Sequence, residues 1–263
     1  VGCPYPKLMN SNNDVDMAAA VIMCSASKAQ ALGVARDRWV FPHSGSDCHE
    51  HNYISNRWSF AETPAIELGG RVALQLAGLA IDDVEIIDLY SCFPSAVQLG
   101  ARSLGLPLDR QLTRTGGLSF AGGPWNNYVM HAIATVMHDL RERPGASALV
   151  WANGGYATKH SFGVYGTTPP ASFRHLNPQA EIDALPRREL ADIADAQGAA
   201  NIEAYTVMHS RDGTAETAFA ACLLPDGRRA WGTSTDQAIV AAMCEGEWVG
   251  RSTQLADDGS LRF

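Results

Sequence analysis

The sequence is short of basic residues, of long apolar runs and of targeting signals. It has 20 Lys and Arg against 28 Asp and Glu, which gives a net charge of −8. A nucleic-acid surface needs clustered basic residues, so none is expected. Its apolar runs, such as residues 17–24, are too short to span a bilayer, and no charged segment followed by an apolar stretch predicts a signal peptide. We therefore expect neither a nucleic-acid partner nor a membrane. The chain does not begin with Met, so we expect a processed or truncated product.

The six cysteines form no CxxC pair, and a 263-residue chain with 46% hydrophobic residues does not need disulfides to hold a core. This cysteine usage predicts a reducing cytosol. Cys48 lies near His43, His49, Glu50 and His51, which is the one grouping with metal-binding residue types. Its spacing matches no standard zinc pattern, so we favour a solvated polar loop and predict no metal site.

Apolar residues alternate between strand-like and helix-like spacing from residue 36 to 166, which predicts an α/β layered domain. Before it, residues 17–33 are expected to begin as a buried strand and continue as a helix that Gly33 ends. Residues 44–60 are polar and predicted to be irregular. The predicted strands are 38–43, 83–90, 147–153 and 161–166, and the predicted helices are 63–79, 94–105 and 127–143.

The composition and the periodicity of the sequence change after residue 166. Four prolines in residues 167–188 indicate a linker, and a short polar helix is predicted over 188–197. Two Asp-Gly turns then join β-rich runs, which is a strong hairpin signal. We predict a small β domain over residues 198–263.

Four short motifs occur in a distinctive order: "NSNNDVDMAAAVIM" at 10–23, "YSCF" at 90–93, "GGLSFAGGP" at 116–124 and "ANGG" at 152–155. In this order they resemble the second half of the thiolase superfamily, whose members carry an N-S…DGAAA strand, a NEAF or HDCF loop, a GHP loop and a CxG loop. The resemblance covers about residues 5–166. Each motif alone is weak, but four in order on matching elements are fairly specific.

The resemblance implies a thiolase-like second half, with a mixed five-stranded sheet covered by helices, followed by a small OB-like β domain. Mycobacterial thiolase-like proteins carry such an extra domain, and steroid-degrading aldolases of this scaffold use tyrosines with an OB-like partner. The implied domains are the end of the thiolase N-terminal domain (1–35), the thiolase C-terminal domain (36–170), a linker with a short helix (171–197) and the β domain (198–263). Most of the first half is absent, so the resemblance implies a missing N-terminal half as a separate or cleaved segment.

Thiolases use a cysteine nucleophile, a histidine and a second cysteine on an acyl-CoA. Here Tyr90 stands at the first position of the NEAF or HDCF loop, Gly123 at the GHP histidine and Ala152 at the CxG cysteine. Glycine and alanine carry no proton-transferring side chain. Ordinary thiolysis or Claisen condensation by the usual residues is therefore not expected.

The resemblance implies catalytic roles for Tyr90, Asn153 and His160, each with a simpler alternative. Tyr90 is either a general acid or a buried structural tyrosine. Asn153 is either a donor to a thioester oxygen or a cap of its own turn. His160 is either a substitute base or a surface histidine beside Lys159, and the surface reading is preferred. The implied substrate-binding residues are Asn12, Cys92, Phe93, Gly122, Gly123, Gly154, Gly155 and Tyr156; for Cys92 we favour packing over reactivity, and Asn12 also fits a polar turn.

These observations predict a degenerate thiolase-like protein that acts on or binds an acyl-CoA, as an acyltransferase or a carbon–carbon lyase. No cofactor is expected beyond the coenzyme A thioester itself. The alternative is a non-catalytic acyl-CoA-binding scaffold, or a docking module for a partner enzyme.

Overall fold

The helices and strands of the chain fall into two units. The computed structural model describes residues 3–192 and 194–263. One unit, here the α/β unit, comprises Leu8–Asn52 and Ala61–Leu185. The other, the β unit, comprises residues 3–7, Tyr53–Phe60 and Pro186–Phe263. No helix within the described residues is long and apolar enough to cross a membrane.

The α/β unit is built on a mixed five-stranded sheet with the order β2-β3-β4-β1-β5. β2 and β3 run parallel, as do β1 and β5, and β4 is antiparallel to both of its neighbours. Its strands are β1 (Phe41–His49), β2 (Ile86–Leu89), β3 (Ser147–Gly154), β4 (Lys159–Gly166) and β5 (Arg174–Leu176). Its helices are α1 (Ala26–Ala31), α2 (Pro64–Ala77), α3 (Pro94–Leu104), α4 (Tyr128–Glu142) and α5 (Gln179–Asp183).

Helices cover both faces of this sheet. On one face, residues of α2 and α3 pack against Leu149, Trp151 and Phe162. On the other face, one stripe of α4 packs against Ala148 and Val150. The helical spacing and strand runs that predicted α2, α3, α4, β3 and β4 are confirmed. The short helix expected over 188–197 instead lies at α5; residues 188–192 and 194–197 form no helix, and residue 193 lies outside the described residues.

The polar stretch after residue 43 belongs to β1, so the prediction of an irregular, solvated loop there is wrong. The hydroxyls of Ser44 and Ser46 donate to the α2 carbonyls of Ala73 and Gly69 at 2.6 Å, and the Cys48 thiol donates to that of Ala65 at 3.3 Å. These side chains are buried yet bonded, which removes the cost of burying them. Gly69 permits the close approach, because a Cβ there would lie 2.7 Å from the Phe162 ring.

The strand expected at the start of residues 17–33 does not form, and the helix is limited to α1. Ser25 begins that helix, its hydroxyl accepting from the Lys28 N–H. From Val15 to Val21, half-buried and exposed residues alternate, as in a strand. A strand also needs a partner ladder, and within residues 3–192 and 194–263 none pairs with this segment.

The β unit holds an antiparallel five-stranded sheet with the order β10-β9-β6-β7-β8. The predicted Asp-Gly hairpins are confirmed, with left-handed backbone at Gly213 and Gly227. Helix α6, which the sequence reading missed, begins after Asp236, whose carboxylate accepts from the N–H groups of Ala238 and Ile239. The elements are β6 (Gly198–His209), β7 (Ala215–Leu223), β8 (Arg229–Ser234), α6 (Gln237–Glu245), β9 (Ser252–Leu255) and β10 (Leu261–Arg262).

A buried arginine fastens residues 53–60 to this β sheet. The Arg229 side chain is fully buried and forms a forked ion pair with Glu203, at 2.7 Å from Nε and 2.9 Å from Nη2. Its Nη1 donates to the carbonyls of Ser55 and Arg57, and its guanidinium lies 4.2 Å from the centre of the Phe60 ring. All sides of this charge are therefore engaged by partners.

Candidate functional site

The loop at 90–93 joins β2 to α3. Pro94 begins α3 at the position where its missing N–H is tolerated, and Phe93 is the extended residue before it, with its side chain 46% exposed. The Tyr90 ring is half-buried and packs edge-on against Tyr128, with ring centres 5.4 Å apart. Burial, and then the nearby Cys92, raises the pKa of Tyr90. Tyr90 therefore keeps its proton at neutral pH, and its hydroxyl can donate a hydrogen bond.

Residues 10–13 lie between that loop and the glycine loop at 116–124. The Ser11 N–H donates to the carbonyl of Cys92 at 2.8 Å. The backbone of Asn12 bonds both ends of the glycine loop, donating to Leu118 at 3.1 Å and accepting from the Gly123 N–H at 2.7 Å. The Asn12 side chain instead forms a local turn with the Asp14 N–H. Asn12 thus organises the site through its backbone.

The glycine loop closes against these neighbours because several of its residues lack a side chain. Gly116, Gly117 and Gly122 have left-handed backbone, with φ of 91°, 82° and 93°. A Cβ on Gly122 would lie 2.9 Å from Val15, and one on Gly123 would overlap the Ser11 hydroxyl. A residue of the 90–93 loop also holds the glycine loop, because the Leu118 N–H donates to the hydroxyl of Ser91 at 3.1 Å.

Asn153 and Cys92 meet from two elements. Asn153 lies near the end of β3, and its Nδ2 donates to the Cys92 sulfur at 3.8 Å. The Asn153 Oδ1 is buried and, among the residues that the structure describes, has no hydrogen-bond partner. Burial raises the pKa of the Cys92 thiol despite the bond from Asn153. Cys92 is thus a thiol rather than a thiolate at neutral pH, and the amide of Asn153 has bonding capacity left over.

Asp88 is a buried acid beneath this loop that the sequence reading missed. Its Oδ2 accepts from the Arg114 N–H at 2.8 Å, whereas Oδ1 has no partner within the described parts of the chain. Burial raises the pKa of Asp88 to about 6, against the lowering effects of Arg114 and of the Thr115 N–H. Tyr128 bonds Thr115 at 2.6 Å, and burial with the nearby Asp88 raises the pKa of Tyr128. An acidic residue inside the apolar run "EIIDLY" was the signal available.

His160 is buried, so the preferred prediction of a surface histidine is wrong. Its side chain is only 3% exposed in β4, and its ring stacks on Trp151, whose Nε1 donates to the His160 Nδ1 at 3.3 Å. Because Trp151 belongs to the core beneath α2 and α3, His160 is placed in that core. The proposed catalytic role of His160 stays a prediction.

The remaining predicted residues lie at the turn between β3 and β4. Gly154 ends β3, Gly155 has left-handed backbone with φ of 66°, and Tyr156 is 77% exposed. Within the described residues, no group of three or more His, Cys, Asp or Glu side chains is arranged to hold a metal ion.

Comparisons with known proteins agree with this architecture. Residues 177–260 match the family described as the thiolase-like protein type 1 additional C-terminal domain. The crystal structure of a monomeric SCP2-thiolase like protein type 1 from Mycobacterium smegmatis is similar over 97% of this chain, with 35% identity and a TM-score of 0.81. The thiolase-like resemblance is confirmed.

The thiolase-like chain also has more distant curated relatives. The 3-ketoacyl-CoA thiolases of Citrobacter koseri and Escherichia fergusonii are each 27% identical to it in an alignment of 161 residues that covers 54% of the chain. The chain covers 35% of the length of these two thiolases and 56% of the solved Mycobacterium smegmatis chain. It therefore spans about a third to a half of its relatives. The predicted fold class, a mixed sheet with helices plus a small β domain, is confirmed.

Proposed function

We propose that this thiolase-like chain binds an acyl-CoA where its loops meet. The observation that carries the proposal is the convergence of three of the motif segments through hydrogen bonds. Ser11 bonds the 90–93 loop, Asn12 bonds the glycine loop at two points, and Leu118 bonds Ser91. Asn153 reaches the same loop from β3 through the Cys92 sulfur. Polar groups that converge from separate elements are typical of a binding site.

On this proposal, Tyr90 and Asn153 carry the chemistry that remains. A tyrosine whose pKa is raised by burial suits a general acid that protonates an enolate or alkoxide. The buried Asn153 Oδ1 suits a fixed acceptor for an N–H of the pantetheine amide, because it is unbonded among the described residues. Gly123 and Ala152 leave no imidazole and no thiol at the positions where the resemblance expects them. We infer an acyltransferase or carbon–carbon lyase that does not use those two groups.

A binding-only scaffold is the second candidate, and the packing of Tyr90 favours it. The ring lies edge-on against Tyr128, and Cys92 is held as a thiol with a raised pKa. Both side chains are equally compatible with a core that preserves the fold but carries out no reaction. We keep the reducing cytosol, proposed from the cysteine usage, as the location for either candidate.

We also propose that a first thiolase half, as a separate or cleaved segment, covers residues 15–25. Ile22 is 93% exposed and Met23 is similarly exposed. The segment alternates like a strand, yet within the described chain it has no strand partner. An unpaired, apolar strand-like edge is a template for a further strand.

Calorimetric titration of the full-length protein with acetyl-CoA and a steroid-type acyl-CoA tests the proposal, with products followed by mass spectrometry. We expect Tyr90→Phe to lower turnover by about 100-fold or more while binding changes little, since general acid catalysis contributes about that factor. Tyr53→Phe, at an exposed tyrosine of the β unit, is the matched control. Binding without turnover would favour the scaffold. Binding to neither ligand would overturn the acyl-CoA proposal.

A further inference from the structure

The space at Gly123 is taken by a side chain from another segment. A Cβ built on Gly123 would overlap the Ser11 hydroxyl and lie 3.2 Å from both Ser11 Cβ and a methyl of Leu118. The hydroxyl of Ser11 therefore lies where the side chain of residue 123 would begin. Ser11 is held there by its own N–H, which donates to the carbonyl of Cys92.

The Ser11 hydroxyl is free to exchange its present partner. It donates to the Oδ1 of Asn13 at 3.0 Å, and Asn13 is exposed. Water can bond Asn13 when the hydroxyl turns away, so the exchange leaves no buried group unsatisfied. Ser11 itself is half-buried, between the loop that carries Tyr90 and the glycine loop.

We propose that Ser11 substitutes for the side chain that Gly123 lacks, by donating a hydrogen bond to the carbonyl oxygen of a bound acyl thioester. This inference rests on the proposed acyl-CoA function. A serine hydroxyl does not take up protons at neutral pH as imidazole does, so Ser11 stabilises charge on the oxygen and moves no proton. Its contribution is specific to ligands that carry the thioester carbonyl.

The test moves the hydroxyl from one residue to the other. Ser11→Ala removes it, and the double variant Ser11→Gly with Gly123→Ser returns it to the same space from the glycine loop. Asn13→Ala is the control, because it removes the partner but keeps the hydroxyl. Each variant is titrated in the full-length protein with acetyl-CoA and with free CoA, after circular dichroism has checked its fold.

We expect Ser11→Ala to raise the Kd for acetyl-CoA by about 3- to 10-fold, the range for one hydrogen bond, and to leave the Kd for free CoA unchanged. The double variant should recover to within about 2-fold of the unaltered protein. Gly123→Ser alone should lower the melting temperature, because two side chains then compete for one space.

An unchanged Kd for acetyl-CoA in Ser11→Ala, or a double variant no better than Ser11→Ala, would overturn this inference and leave the proposed function standing. An equal loss for free CoA would do the same, since it would assign Ser11 to the shape of the site. If the unaltered protein binds neither ligand, the proposed function fails and this inference fails with it.

Discussion

Buried polar groups are treated differently in the two units. In the β unit, Arg229 is fully buried and engaged on every side by Glu203, by two carbonyls and by an aromatic ring. In the α/β unit, Asp88 and Asn153 are buried with one oxygen each that has no partner among the described residues. Buried groups that only support a fold are normally saturated with partners. The unused bonding capacity of Asp88 and Asn153 is therefore one of the observations on which the proposed function rests.

The largest effect that tests this contrast is expected at Arg229. Arg229→Ala leaves Glu203, whose side chain is only 14% exposed, without its partner, and removes a fully buried side chain; we expect a cost of about 3 kcal/mol in the free energy of unfolding. Urea unfolding followed by tryptophan fluorescence measures it. The neighbour Arg228 pairs with Asp195 and Asp226 at the surface, so Arg228→Ala is the matched control and should barely move the midpoint. Equal effects of the two variants would contradict the structural role of Arg229.

Substitution of Asp88 should change the free energy of unfolding in the opposite direction, by stabilising the protein. Its pKa is about 6 in the folded protein against 3.8 ordinarily, so the folded state holds the proton longer. Stability from this group is present below pH 4 and is lost as the pH rises through 6. Asp88→Asn removes that loss and should stabilise the protein at pH 8 by about 1–3 kcal/mol, with no gain at pH 4. Urea unfolding at both pH values measures it.

The control for Asp88 is Asp82→Asn, at an exposed position just before β2. It removes one carboxylate from the surface and tests whether the change in net charge alone produces the effect. A destabilised Asp88→Asn variant at pH 8 would mean that the charge of Asp88 is engaged by a partner, and the contrast with Arg229 would disappear.

The smallest effect is expected at the interface of β1 and α2. Ser46→Ala removes one neutral hydrogen bond, while the carbonyl of Gly69 remains part of the helix, so the cost is about 1 kcal/mol. Thermal unfolding measures it, and the exposed Ser27→Ala in α1 is the control. A cost as large as that of Arg229→Ala would show that partners for buried neutral groups matter as much as partners for buried charges.

Local patterns predicted the elements whose partners lie nearby in sequence or whose apolar face is continuous. α2 and α3 have proline in the first turn and glycine at the end, and the Asp-Gly turns define their own hairpins. The roles of Tyr90 and Asn153 come from the thiolase resemblance and stay predictions. The structure joins Asn153 to the loop of Tyr90 through Cys92.

The failures have a common physical cause, which is a partner distant in sequence. β1 reads as polar because carbonyls of α2, 17 to 29 residues away, satisfy its hydroxyls and thiol. His160 reads as a surface residue beside Lys159 because nothing local shows that Trp151 covers it. Ser11 lies in the motif at 10–23, but its approach to Gly123 is visible only in the structure. Residues 17–23 carry a strand pattern, but no strand among the described residues pairs with them.

The three hydrogen bonds between β1 and α2 also require the residue spacing along the strand to match that along the helix. The donors advance by two residues along the strand while the acceptors retreat by four along the helix. Two strand residues span about 6.6 Å and four helical residues about 6.0 Å, so the steps match when the helix runs antiparallel and nearly aligned. Insertion or deletion of a single residue between Ala65 and Ala73, or between Ser44 and Cys48, would break the match between the donors of the strand and the acceptors of the helix. A change in the length of either element should therefore cost more than the loss of one of the three donors.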